Sequence, residues 1–294
     1  MLTAQFQIDH VTVAGRNLRL MRDVLASVGV NTENGGPHAN RATEMALASF
    51  PDGSYLELIA PQPDADPEAV AAHYWSRFIN TNAGPCAWAV QVPDTVGEVQ
   101  RLSKRGIAVT APARSGRTRI DGVRLDWEAA PVGPEPNGGF FPFLIQDITP
   151  RTNRVYPSGK PSTSVFRGIK RVVIAVEDLE DSVQRYQRAY DLVAPIMQED
   201  VSFGARLAWF SDTPVILATP LSGADSANAP EQSSIATRVT QFGNLPCAFI
   251  MAGTASFSSA IPSFDSRWFG KRISWLDPAK LGWRLGVEAL SPLS

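Results

Sequence analysis

The feature of this sequence that most constrains its fold is a weak internal repeat. Residues 8–14 have the apolar pattern of a strand that leads into an amphipathic helix, and residues 169–175 begin the same pattern again. His10 and Arg171 occupy the matching positions, whose numbers differ by 161. The repeated pattern therefore predicts one architecture built twice, with different chemistry in the two copies.

The two cysteines support this repeat independently. Cys86 and Cys247 stand in similar apolar segments, and their numbers also differ by 161. A cysteine in such a segment behaves as a small buried hydrophobic residue, so we expect two free thiols and no disulfide. The length of 294 residues fits two domains.

Each half of the sequence contains two units in which one strand, one helix and further strands follow in order. Asn17, Asp94 and Asp178 stand where N-caps of the helices are expected. A short helix near 254–261 completes the fourth unit. Four such units predict an α+β fold in which βαβββ units pair into two cupped mixed-sheet domains. The expected domains are 1–150 and 168–294, joined by a Pro- and Ser-rich linker at 151–167.

Charge and composition exclude several classes of function. The formal net charge is −2, and a concentrated basic face, as nucleic-acid or acidic-membrane binding needs, is not expected. Neither an apolar run of about 20 residues nor a secretory signal is visible, so we expect a cytoplasmic protein. The nucleotide motifs G-x-G-x-x-G and G-x-x-x-x-G-K-[ST] are also missing, so no nucleotide cofactor is expected. A homodimer remains an open alternative.

Two polar residues stand on otherwise apolar strands. His10 shares one face of its strand with Ile8 and Thr12. On that face it is either a hydrogen-bonded core residue or a functional group. Glu57 lies between Leu56 and Leu58 and either faces water or has a partner inside, because an unpaired buried carboxylate is costly.

Other candidates are less specific. His38 follows two glycines and either is exposed or contacts a ligand. Arg119 belongs to an arginine cluster that fits either an anionic ligand or a solvated hairpin. Aromatic residues on strands form either a ligand-binding wall or plain core; these are Trp88, Trp127 and Phe143. His73 is expected at the surface or at an interface.

Five motifs in order carry a resemblance to a known family. They are Ile8-Asp9-His10-Val11, Gly35-Gly36-Pro37-His38, Asp52-Gly53-Ser54-Tyr55-Leu56-Glu57-Leu58, residues 117–127, and Phe141-Pro142-Phe143-Leu144-Ile145-Gln146. Through them the chain resembles the glyoxalase-like domain family of the vicinal oxygen chelate superfamily. The resemblance covers residues 7 to about 150, whereas the second half matches in topology alone.

The resemblance implies a cup that commonly holds one divalent metal, with two open positions for substrate oxygens. Carried over, the ligand positions fall on His10, Glu57 and Gln146, and the fourth position falls on Trp88, which cannot bind a metal. In the second half, the corresponding residues are Arg171, Ile216, Phe249 and Glu288, so that half is expected to be degenerate.

Two functions from different classes follow. In the first, the N-terminal cup binds a small oxygen-bearing molecule for isomerase, lyase or dioxygenase chemistry, with or without a metal. Glu57 would then serve as base or ligand and His10 as ligand or proton carrier, while His38, Trp88, Arg119, Trp127 and Phe143 would contact the substrate. In the second, the cup binds or sequesters a small molecule without metal or catalysis, and Trp88 in a ligand position favours this alternative.

Overall fold

The computed structural model describes residues 6–38, 40–221, 234–254 and 263–289. The chain divides into two compact units. The first unit runs from Gln7 to Ser164, and the second contains Phe6 and the described residues from Val165 onwards. Among the described helices, none is long and apolar enough to cross a bilayer.

The first unit contains one eight-stranded mixed sheet with the order β2-β3-β4-β1-β5-β8-β7-β6. The strands β1 and β5 are antiparallel neighbours at the centre, and each pairs on its other side with a parallel strand, β4 or β8. In chain order the elements are β1 (Gln7–Ala14), α1 (Leu18–Ser27), β2 (Glu33–Pro37), β3 (Thr43–Ser49), β4 (Tyr55–Pro61), α2 (Pro67–Ala72), α3 (Ser76–Asn80), β5 (Gly84–Gln91), α4 (Thr95–Lys104), β6 (Ala113–Thr118), β7 (Arg124–Ala130), β8 (Phe143–Asp147) and α5 (Arg151–Val155).

The second unit repeats this strand order as β10-β11-β12-β9-β13-β16-β15-β14. Two curled eight-stranded sheets, each built from paired βαβββ units, confirm the predicted α+β fold class. The elements are β9 (Phe166–Ala175), α6 (Leu179–Tyr190), β10 (Ile196–Asp200), β11 (Ala205–Trp209), β12 (Val215–Pro220), α7 (Ile235–Phe242), β13 (Leu245–Gly253), β14 (Ser263–Trp268), β15 (Lys271–Leu276), α8 (Pro278–Leu281) and β16 (Arg284–Glu288).

The helices begin where the sequence places cap residues. The side chains of Asn17, Asp94 and Asp178 each accept a hydrogen bond from a backbone N–H in the first turn of α1, α4 or α6. In the first unit, α1 packs against β3 and β4, and α4 packs against β7 and β8. These two helices cover one face of the sheet, and the functional side chains lie on the other.

Two segments differ from what the sequence indicates, and a third cannot be compared. The Gly-rich stretch before His38 is not a loop, because residues 33–37 form the edge strand β2 and pair with β3. The sequence does not predict the helix α7, which precedes β13. The helix expected near 254–261 lies almost wholly outside the described residues.

The segment 151–164, which its composition indicates as a linker, lies in the first unit. Its helix α5 places Val155 in a cluster with Met45 and Tyr55. Further along, the backbone N–H of Ser162 donates to Oγ of Ser49 at 3.0 Å. The predicted domain boundaries at 150 and 168 stay a prediction. Within the segment 151–164, Val155 packs against residues of the first unit and Ser162 is hydrogen-bonded to it.

The interior of the second unit is filled by a large apolar cluster. Phe203, Trp268 and Trp275 form its aromatic part, with ring centroids 4.8 to 5.2 Å apart. They pack with Val173 and Ile216 from the central strands. Rings at these separations have favourable edge and tilted contacts in addition to their burial.

Candidate functional site

A cavity of about 300 Å³ lies against one face of the first sheet. Its walls come from β1, β3, β4, β6, β7 and β8, so both βαβββ units of this sheet contribute. Segment 73–75, between α2 and α3, and Arg154 of α5 also contribute to the lining. This size is at the lower end of the range for small-molecule sites.

All three histidines of the chain line this one cavity. His10 lies on β1, His38 directly follows β2, and His73 directly follows α2. The sequence singled out His10 and His38, but His73 was expected at the surface or at an interface. No sequence signal marks His73, because the chain between α2 and α3 brings it back over the sheet.

His10 is held from two sides. Its Nδ1 lies 2.6 Å from Oδ1 of Asp9, and its ring stacks on Tyr55 with centroids 4.8 Å apart. Because the Asp9 carboxylate can only accept, Nδ1 carries the proton and Nε2 presents a lone pair to the cavity. The pairing of β1 with β5 shifts register between Ile8 and His10, which explains why two successive side chains are both buried.

Glu57 is the acidic residue that the imidazoles of His10 and His38 face. Its Oε2 accepts a hydrogen bond from Oγ1 of Thr12 at 3.0 Å and lies 3.7 Å from Nε2 of His10. Its Oε1 lies 3.8 Å from Nε2 of His38, whose Nδ1 is 2.8 Å from Oγ1 of Thr43. Parallel pairing places Glu57 opposite Thr12 on β1, so adjacent strands fix the position of the carboxylate.

A buried network of arginines and aspartates supports His10. Arg154 donates to both Asp9 and Asp147, with four N···O distances of 2.6 to 2.9 Å. It also donates to the hydroxyl of Tyr55 at 2.8 Å, and Arg151 donates to Asp9 as well. The sequence did not predict this network, although the three-residue spacing of Arg151 and Arg154 would place both on one side of a helix.

Burial keeps the imidazoles of this cavity neutral. Loss of solvation lowers the pKa of His10 to about 4; the negative charge of Glu57 opposes this change and the positive charge of Arg154 adds to it. Burial likewise lowers the pKa of His38 and of His73. Near neutral pH these rings therefore act as hydrogen-bonding groups without charge, not as cations.

Aromatic side chains form much of the remaining wall. Trp127 and Phe143 reach the cavity from β7 and β8, and Tyr74 and Trp75 reach it from the segment before α3. The indole N–H of Trp75 donates to the carbonyl of Asn137 at 3.2 Å, so this ring has a fixed orientation. The placement of Trp127 and Phe143 agrees with the wall that the sequence indicates.

The structure does not bring three of the predicted site residues to the cavity. Trp88 is completely buried inside the sheet core. Arg119 pairs with Asp121 and donates to two backbone carbonyls away from the cavity. Phe143 and Ile145 face the cavity, so Gln146 faces α4, where its Oε1 accepts from the backbone N–H of Thr95 at 2.9 Å.

The ligand set implied by the resemblance therefore does not fit a metal in this chain. Gln146 lies on the opposite face and Trp88 offers no donor to the cavity, which leaves His10 and Glu57 of that set. The imidazoles of His10 and His38 approach different oxygens of Glu57. In the part of the chain that the structure describes, no three His, Cys, Asp or Glu residues are arranged to hold a metal ion.

The equivalent positions of the second unit carry another arrangement. Arg171 replaces His10, and its Nε lies 2.9 Å from Glu288, which Lys170 also contacts at 2.8 Å. Ile216 replaces Glu57, because it pairs with Val173 as Glu57 pairs with Thr12. Strand register aligns Glu288 with Ile145 and not with Gln146.

Comparison with solved structures shows the fold. A hypothetical protein from Staphylococcus aureus matches with a TM-score of 0.65 at 12% identity, over 97% of this chain and 100% of that chain. A mutant of 4-hydroxymandelate synthase from Streptomyces coelicolor matches with a TM-score of 0.58 at 12% identity, over 97% and 92%. The Mn(II)-bound glyoxalase from Novosphingobium aromaticivorans gives 0.52 at 8% identity, over 97% and 82%.

None of the curated proteins matches the chain. The family model described as a glyoxalase-like domain matches residues 8–190, which is more than half of the chain and includes the whole cavity. With the paired βαβββ units and the similar solved structures, this match confirms the resemblance of the sequence. The chain belongs to the glyoxalase-like domain family.

Proposed function

We propose that the first unit binds a small oxygen-bearing molecule in this cavity and that Glu57 takes a proton from it. The observation that carries the proposal is the convergence of Glu57 with His10 and His38 in the cavity, at 3.7 and 3.8 Å. The carboxylate, and the one nitrogen of each neutral imidazole that carries no hydrogen, accept hydrogen bonds or protons. A bound hydroxyl or acidic C–H group would supply the hydrogen that they lack.

The proposed reaction is proton transfer at a carbon next to a carbonyl group. Glu57 removes the proton, the C–H bonding electrons move into the carbonyl group, and an enolate forms. When the substrate is a hydroxy carbonyl compound, return of the proton from Glu57 to the former carbonyl carbon gives isomerisation. His10, held by Asp9, accepts a hydrogen bond from the substrate hydroxyl through Nε2 and carries that proton between the two substrate oxygens. No metal takes part in these steps, because the donor set does not fit one.

Exchange of hydrogen for deuterium tests this function without knowledge of the natural substrate. We would incubate the protein in D2O with hydroxyacetone, 2-hydroxyacetophenone or 2-oxobutanoate and follow the acidic C–H signal by NMR. At least one compound should exchange its hydrogen faster with the protein than without it. In Glu57→Gln the exchange rate should be lower by about 10²- to 10⁴-fold, which is the usual contribution of a general base.

Glu128→Gln is the matched control, since this carboxylate accepts from Thr95 at 2.9 Å and does not line the cavity. Exchange that is equal in Glu57→Gln and in the unchanged protein would contradict the proposal.

Binding without catalysis is the second candidate, favoured by the aromatic wall of Trp127, Phe143 and Trp75. A protein that binds 2-hydroxyacetophenone with no exchange above the uncatalysed rate would support this function instead. Glu57 would then act as a hydrogen-bond acceptor for the ligand.

A further inference from the structure

The cavity contains one buried arginine that has no described carboxylate within ion-pair distance, although Glu57 acts on its charge from farther away. Arg117 lies on β6, is 5% exposed and lines the cavity. Its guanidinium group donates to the carbonyl of Gly35. Among the described residues, no carboxylate lies within 4 Å of it, in contrast to Arg119 and Arg154, which both pair with aspartate.

The other charges around the cavity are already compensated. Arg151 and Arg154 are matched by Asp9 and Asp147. The three imidazoles are neutral for the reason given above. Glu57 and Arg117 therefore remain as separate negative and positive groups on the same cavity wall, too far apart to pair directly.

The free donors of Arg117 have access to open space. None of its nitrogens is among the buried polar atoms that lack a partner, so its unused N–H groups are not enclosed by packed protein. Arg117 also borders a second depression at the surface, whose rim carries Glu33 and Asp121. The same rim carries Arg119, which pairs with Asp121. The described lining of this depression has none of the aromatic side chains that line the cavity, which makes it the poorer place for an aromatic anion.

A buried arginine without a counter-charge costs stability, which a bound anion would restore. Burial lowers the pKa of Arg117 relative to an exposed arginine, although the group stays charged at neutral pH. The planar guanidinium matches a carboxylate, which it can bind through two parallel hydrogen bonds. Hydrogen bonding to Gly35 fixes one nitrogen and leaves the others for a ligand.

We propose that Arg117 binds a carboxylate group of the ligand, whose apolar body lies against Trp127 and Phe143. The ligand class is thus a small aromatic or apolar carboxylate. This inference rests on the proposed binding of a small molecule in the cavity, and it assigns the chemical group that selects the ligand. The carboxylate would stand at Arg117, and the reactive hydrogen would stand at Glu57.

The test uses acid and amide pairs of equal shape: benzoate against benzamide, and phenylacetate against phenylacetamide. Calorimetry on the full chain should show each acid binding at least about tenfold more tightly than its amide, the effect of about 1.4 kcal/mol. In Arg117→Met the acids should lose about thirtyfold or more in affinity, and the preference for acids should vanish. Arg114→Met is the matched control, because Arg114 is on the same strand and its side chain is 82% exposed.

Thermal unfolding without ligand provides an independent measurement. Because Arg117→Met loses the hydrogen bond to Gly35 but no ion pair, its melting temperature should fall by no more than about a few degrees. Equal affinity for acids and amides, or an acid preference that survives in Arg117→Met, would overturn the inference. So would a large loss of melting temperature in Arg117→Met but not in Arg114→Met, since Arg117 would then be structural.

These outcomes are separate from the test of the proposed function. If the acids bind through Arg117 and Glu57→Gln changes no exchange rate, the anion site stands and the proton transfer fails. If exchange depends on Glu57 while acids and amides bind equally, the proton transfer stands and the anion site fails.

Discussion

The two units have the same strand order, but the described residues of one enclose a polar cavity and those of the other form a large apolar cluster. In the first, Thr12 on the central strand faces Glu57, whereas in the second, Val173 faces Ile216 at the same register. Phe203, Trp268 and Trp275 pack in the interior of the second unit. Backbone pairing can thus keep a sheet unchanged while its interior positions switch between a binding site and a core.

Buried charge is present in both units, but it is arranged differently. Asp9 and Asp147 depend on Arg154, and Arg151 assists. In the second unit, Glu288 has both Arg171 and Lys170 within 3 Å. Loss of one arginine should therefore be more damaging in the first unit, where a single guanidinium bridges two carboxylates.

The largest expected effect comes from removing that guanidinium. Arg154→Met should lower the free energy of unfolding by about 3–5 kcal/mol, because two buried carboxylates lose their main partner. Arg171→Met should cost less, because Lys170 continues to neutralise Glu288. Urea unfolding of both variants measures the difference, and equal losses would mean that the two charge networks are equivalent.

A smaller effect is expected from pH. The pKa of His10 is about 4 in the folded protein and 6.5 when solvated, so below pH 6.5 the unfolded chain binds a proton that the folded chain does not. Stability should fall from pH 6.5 to 4, with about 3 kcal/mol from His10, and His38 and His73 should act in the same direction. His10→Gln should have a shallower decline than the unchanged protein in urea unfolding across this range.

Parallel curves for His10→Gln and the unchanged protein would contradict this prediction. The second unit contains no histidine, so this part of the pH response belongs to the first unit.

The smallest expected effect is that of a metal. Since Gln146 and Trp88 do not reach the cavity, treatment with EDTA should leave the melting temperature unchanged, and Zn2+ or Mn2+ should not raise it. A rise with either ion that disappears in His10→Gln would show that the cavity does hold a metal, and metal-assisted chemistry would replace the metal-free proposal. Elemental analysis of protein purified without chelator checks the same point.

The sequence predicts the fold well because strand patterns and cap residues are local signals, and the repeat shows these local patterns twice. It predicts the cavity in part: His10, His38, Glu57, Trp127 and Phe143 all line it. Alternation along a strand tells which side chains share a face, but not which face is the cavity, and this ambiguity explains the misplacement of Gln146.

Other features depend on contacts between distant parts of the chain. The bonds from Arg154 to Asp9 join residues 145 positions apart, and no local pattern reports them. His73 similarly depends on how the α2–α3 segment crosses the sheet. Arg117 stands in the sequence close to Arg114 and Arg119, and the residue pattern alone does not separate a buried arginine without an ion pair from an exposed one such as Arg114.

The position of α5 has a consequence for how such a chain can be divided or recombined during evolution. The duplicated halves suggest exchange at residue 150, where the composition changes. A crossover there would remove Arg151 and Arg154 together with the half that is replaced. Asp9 would then be left beside His10 without its cations. The first unit is therefore inherited intact only when the junction falls after Ser164. Within the segment between the halves, the buried residues Arg154, Val155 and Thr163 evolve under the constraints of an interior.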